Sequence, residues 1–106
     1  MKTLHLIVHE RNIRKVRNDL EREYGDNEGH TAKADAVLKR INEVKKANPD
    51  RIIEFRGFDF IGQVEQCRHA DLVVLYGGSR YCCLMDMSNA LQQDGLYFAW
   101  DIEGTV

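Results

Sequence analysis

Hydrophobic residues fall into two kinds of run along this chain. Short, largely apolar stretches at Leu4–Val8, Arg51–Phe55, Asp71–Tyr76 and Leu96–Ile102 alternate with longer stretches where apolar residues return every three or four positions. The first kind fits a strand covered on both faces; the second is the stripe of a helix packed along one side. Asn12–Tyr24 carries such a stripe at Ile13, Val16, Leu20 and Tyr24, and Gly25 stops it before the polar loop Asp26–His30. A second helix carries Ala34, Val37, Leu38, Ile41 and Val44, with Thr31 as its cap and Asn48-Pro49 as its end. Phe60–His69, capped by Asp59, turns Ile61, Val64 and Cys67 inward. Tyr81–Gln93 is the last predicted helix and ends at Asp94-Gly95.

The predicted order is β-α-α-β-α-β-α-β. Strands joined through helices run parallel, because each crossover returns the chain to the same end of the sheet. Right-handed crossovers then place helices on both faces. The expectation is a single α/β domain over residues 1–106. It is a three-layer, Rossmann-like or flavodoxin-like sheet of about four strands in order 2-1-3-4, with Leu4–Val8 and Asp71–Tyr76 as adjacent central strands.

Composition narrows the class. One hundred and six residues leave room for one core. No apolar run is long enough to span a bilayer, and Met1–His9 lacks the pattern of a signal peptide, so a cytoplasmic protein without membrane contact is expected. Lys plus Arg is 15 and Asp plus Glu is 17, a net charge of −2 that argues against sequence-specific nucleic-acid binding. The charge is uneven: residues 1–51 carry 12 basic and 9 acidic groups, residues 52–106 carry 3 and 8. Cys67, Cys82 and Cys83 show no metal-ligand spacing and read as small buried hydrophobes. His5, His9, His30 and His69 share no helix face, so neither a metal nor another cofactor is expected.

Chemistry in such a sheet belongs at the carboxyl ends of the strands, where strand order reverses. His9 and Arg11 follow the first strand, and Gly57 and Asp59 follow the second. Gly77, Gly78, Ser79 and Arg80 follow the third. Glycines opening a helix let a backbone approach an anion, and Arg80 adds a charge-assisted contact. Tight strand-to-helix packing demands the same glycines. Asp86 lies within the last helix among small and apolar residues, where a carboxylate either serves chemistry or faces solvent.

The stretch 70–102 resembles the nucleoside 2-deoxyribosyltransferase superfamily, including its 2′-deoxynucleoside 5′-phosphate N-hydrolase branch. It reads Ala70-Asp71 before a hydrophobic strand, then Gly77-Gly78-Ser79, then Asp86-Met87-Ser88-Asn89-Ala90, then Leu96–Trp100. In that resemblance Asp86 stands at the nucleophile position, in place of the usual Glu, and attacks the anomeric carbon of the sugar. Gly78, Ser79 and Arg80 then hold a phosphate. A similar strand–glycine–helix layout occurs in SLOG-type and TIR-like nucleotide-sensing domains.

The resemblance implies a nucleotide or nucleoside ligand. One expected function is cleavage or transfer at its N-glycosidic bond; the alternative is sequestering or sensing without turnover. A third class is a small inhibitor or adaptor acting through a protein partner. The apolar last strand, with Tyr97, Phe98 and Trp100, predicts a homodimer.

Overall fold

The computed structural model describes residues 1–25 and 28–106. Its sheet has four parallel strands in order β2-β1-β3-β4. The strands are β1 (Thr3–Val8), β2 (Ile52–Phe55), β3 (Leu72–Gly77) and β4 (Phe98–Thr105). The helices are α1 (Glu10–Tyr24), α2 (Glu28–Ala47), α3 (Phe60–Cys67) and α4 (Cys83–Gln93). This is the predicted Rossmann-like α/β architecture, with β1 and β3 central and paired from Thr3↔Leu72 to Val8↔Gly77. Among the described residues no helix is long and apolar enough to cross a membrane.

Alternation along the strands splits the core into two layers. Leu4, Leu6, Val8, Val73 and Leu75 face α3 and α4, where Val64, Cys67, Leu84, Met87 and Leu91 complete a buried cluster. Ile7 and Tyr76 face the other way, against Ile13 of α1 and Ala34, Val37, Leu38, Ile41 and Val44 of α2. All five apolar positions predicted for the second helix are therefore buried.

Several local expectations change. Helix α2 starts at Glu28, so Thr31 is a buried residue inside it and not its cap. Asp26 and Asn27 of the predicted loop lie outside the described residues, and His30 belongs to α2, its ring stacked on Tyr24. Ile61 is exposed; Phe60 packs inward in its place, beside Val64 and Cys67. On α1 only Ile13 of the stripe is fully buried, and Val16 and Tyr24 face solvent. A 15-residue helix that shares its sheet face with α2 has a narrow buried stripe. Strand β4 begins at Phe98 and runs on to Thr105, with an irregularity in register between Leu75 and Gly77. Trp100 and Phe98 are half-buried on the core, and the Trp100 indole donates to Ser88 Oγ at 2.8 Å. Only Tyr97 of that aromatic trio stays exposed.

Ion pairs lock the outer layer. Lys45 of α2 bridges Glu10 (2.9 Å) and Glu54 (2.6 Å), tying α2 to the start of α1 and to edge strand β2. Arg17 of α1 donates to Asp35 of α2 at 2.8 Å, holding the Asp35 carboxyl below the usual carboxylate range. Arg40 of α2 grips Asp101 of β4 with two nitrogens at 2.9 and 3.1 Å.

Candidate functional site

Parallel order 2-1-3-4 puts the reversal point between β1 and β3, and a hollow of about 370 Å³ opens there. Ile13, Val16, Ala34 and Val106 supply apolar walls, and Gly78 opens the β3 side. Asn12 and Ser79 supply polar groups, and the Cys82 and Cys83 thiols complete the rim. The volume lies near the lower end of the ~300–1,000 Å³ usual for small-molecule sites, and the mainly apolar lining with few polar groups is their usual chemistry.

The two adjacent glycines do different work. Gly77 has φ +115°, and a Cβ there would lie 2.0 Å from the Val8 carbonyl oxygen. Its backbone passes against β1, so only glycine fits. A Cβ on Gly78 would meet Ile13 at 3.5 Å and Val106 at 3.8 Å, ordinary contacts within the hollow. The packing demand therefore belongs to Gly77 and the opening to Gly78. Ser79, whose peptide with Gly78 is cis, offers its carbonyl to the backbone N–H groups of Cys82 and Leu84.

Arg80 is engaged elsewhere than at a ligand. Its Nε donates to Thr105 Oγ1 at 3.0 Å, and its Nη2 donates to the Ile102 and Thr105 carbonyls at 3.1 and 3.2 Å. Its backbone N–H also donates to Val106 at 2.8 Å. Arg80 thus ties the start of the β3–α4 connection to the end of β4. Asp86 is exposed on the first turn of α4 and does not line the hollow. Gly57 offers its carbonyl to His9, and Asp59 caps α3 by accepting from the Gly62 N–H at 2.9 Å.

At the end of β1, His9 takes a left-handed backbone (φ 52°, ψ 48°) as it enters α1. Its side chain is buried, 4% exposed, stacked on Phe55 and meeting Phe58 edge-on. Nε2 lies 2.6 Å from the Gly57 carbonyl and donates to it, whereas Nδ1 is buried without a partner. His9, Arg11, Asn12, Arg56 and Phe58 enclose a second, smaller hollow of about 60 Å³. Asn12 lines both hollows.

Of the three cysteines expected to be buried, one is fully so. Cys67 is buried; Cys82 is exposed and Cys83 partly so. Burial, then the adjacent Cys82 thiol, pushes the Cys83 thiol up, so at neutral pH it is a packed thiol and not a thiolate. No signal in the sequence placed Val106 here, because its position depends on how far β4 runs. A wider groove of about 700 Å³ lies between α1 and α2. It is open and polar, and its Arg17 is already committed to Asp35 and Glu21. Among the described residues no group of three or more His, Cys, Asp or Glu is placed to hold a metal ion.

No protein-family model matches the chain, and neither a curated protein nor a solved structure matches it.

Proposed function

We propose that this chain binds a nucleoside or nucleotide in the hollow between β1 and β3 and retains it without turnover. The observation that carries the reading is the hollow itself: apolar walls, two polar side chains, and a place at the reversal of strand order. A flat base gains from apolar cover on its faces and needs few polar groups at its edge, which Asn12 and Ser79 supply. The size suits a nucleoside rather than a dinucleotide.

Retention is favoured over N-glycosidic chemistry by the position of Asp86. A nucleophile must reach the anomeric carbon of the bound sugar, and this carboxylate is exposed on α4, outside the lining of the hollow. The enzymatic reading requires the ligand to sit over α4 instead.

The test is thermal unfolding of the protein with nucleosides, 5′-monophosphates and free bases. A ligand at a hundred times its dissociation constant adds about 2.7 kcal/mol of stability. Stabilisation without release of free base supports retention. Base release that Asp86→Asn abolishes would install the enzymatic reading, and no shift with any compound would remove both.

A further inference from the structure

The β1–α1 corner leaves polar groups open that the glycine-rich corner engages internally. Helix α1 is 15 residues long and has no side-chain cap; the Asn12 N–H donates to the His9 carbonyl at 3.0 Å, and among the described residues no capping oxygen meets the Glu10 and Arg11 N–H groups. The residue in the cap position, His9, is more than nine-tenths buried, lines the small hollow, and leaves Nδ1 without a hydrogen-bond partner. With Nε2–H committed to Gly57, Nδ1 is the ring nitrogen left to accept from a ligand's O–H or N–H.

Two arginines stand at the rim. Arg11 is exposed, and its side chain makes no ion pair or hydrogen bond among the described residues. Among the described residues Arg56 pairs only with Glu54, at 3.1 Å, and stays largely exposed. Glu10 is drawn to Lys45, and Glu54 is shared between Lys45 and Arg56, so Arg11 is the rim charge left without a carboxylate partner among the described residues. The small hollow has the room of about two waters at ~30 Å³ each, enough for the outer oxygens of a tetrahedral oxyanion.

We propose that His9, Arg11, Asn12 and Arg56 form a phosphoryl subsite at the N-terminus of α1, continuous through Asn12 with the nucleoside hollow. The inference rests on the nucleoside reading for its ligand, but its anion chemistry stands separately. A nucleoside in the larger hollow directs its 5′ end past Asn12 to the arginines. The ligand class is then a nucleoside 5′-monophosphate, with its charge met on α1 and not at Arg80.

The experiment compares adenosine, guanosine, cytidine and thymidine with their 5′-monophosphates and with inorganic phosphate. Calorimetry is run on the wild-type chain and on the Arg11→Ala/Arg56→Ala double variant. Both arginines are exposed, so the variant should melt as the wild type does; if it does not, Arg11→Gln/Arg56→Gln replaces it. The expected result is a monophosphate that binds at least about tenfold tighter than its nucleoside in the wild type, an advantage that vanishes in the variant. Nucleosides that bind with no monophosphate advantage would overturn the subsite and leave the nucleoside reading standing. An advantage that survives in the variant would overturn the subsite equally. Inorganic phosphate bound by the wild type alone, with no nucleoside or nucleotide bound any tighter, would keep the anion site and remove the nucleoside reading. No binding of any probe would remove both.

Discussion

The two strand-to-helix corners at the carboxyl end of the sheet make an instructive pair. The β3–α4 corner has two glycines, a serine and an arginine, the usual vocabulary of anion binding, yet its groups are occupied internally. Gly77 yields space to β1, the Ser79 carbonyl accepts from the turn that follows, and Arg80 holds the end of β4. The β1–α1 corner has no glycine, but it holds a helix without a side-chain cap, an imidazole nitrogen without a partner and the exposed Arg11, with Arg56 of the β2–α3 connection alongside. Residue types announce what a corner is able to do. Whether its donors are free depends on what packs against it.

The largest expected effect that separates the corners comes from the glycines. Gly77→Ala places a methyl in collision with the Val8 backbone at a positive φ, and should cost ~3 kcal/mol or more or prevent folding. Gly78→Ala should stay within about 1 kcal/mol in melting, while narrowing the hollow enough to weaken any nucleoside measured by calorimetry. Equal losses from the two substitutions would erase the distinction drawn between them.

Arg80→Ala comes next. It removes bonds that join the β3–α4 connection to β4, and chemical denaturation should show a loss of about 1–3 kcal/mol. Any effect on ligands should fall on nucleosides and nucleotides alike. A selective loss for phosphorylated ligands would return the phosphate to this corner. Gly104→Ala belongs in the same range: its Cβ would lie 2.6 Å from the Tyr76 ring, an overpacking that costs ~1–3 kcal/mol in denaturant melts.

The pH dependence tests the sheet face beneath these corners. His5 Nδ1 lies 2.7 Å from the Tyr76 hydroxyl. Burial, with help from Arg40 and Arg51 and against Asp101, sets the His5 pKa below its ordinary 6.5. The unfolded chain then binds the proton more readily, so this stability is present above pH 6.5 and fades as pH falls towards the lowered folded value. Burial, then Asp101, pushes Tyr76 up to about 12, so its contribution holds below pH 10 and is lost as pH rises towards 12. Melting temperatures of wild type and Tyr76→Phe should diverge in their alkaline limbs, and His5→Asn should flatten the acid one. The smallest effect is expected from Asp86→Asn, within about 0.5 kcal/mol in melting and with no change in nucleoside affinity.

Much of this architecture was legible in the residues. Period and turn chemistry sufficed for four strands, four helices, parallel pairing and the order 2-1-3-4, since continuous apolar runs such as Leu72–Leu75 need cover on both faces. They also pointed to the carboxyl end of the sheet, and His9 and Arg11 do line one hollow there. Periodicity was silent where two helices share one face: Val16 and Ile61 keep the spacing of core residues and are exposed, because a neighbour had already taken the buried arc.

Residue types and their spacing thus decided the layers, the strand order and the rim on which chemistry can occur, because burial of apolar runs is a local demand that every fold of this chain must meet. Tertiary structure alone decided which polar groups remain free. Arg80 and Arg11 look alike in a string of letters, but Thr105 and Ile102 arrive from 20 or more residues away to satisfy one, and none of the described residues pairs with the side chain of the other. The partner of a donor is set by long-range packing, and in this protein that packing moves the candidate anion site from the glycines after β3 to the helix after β1.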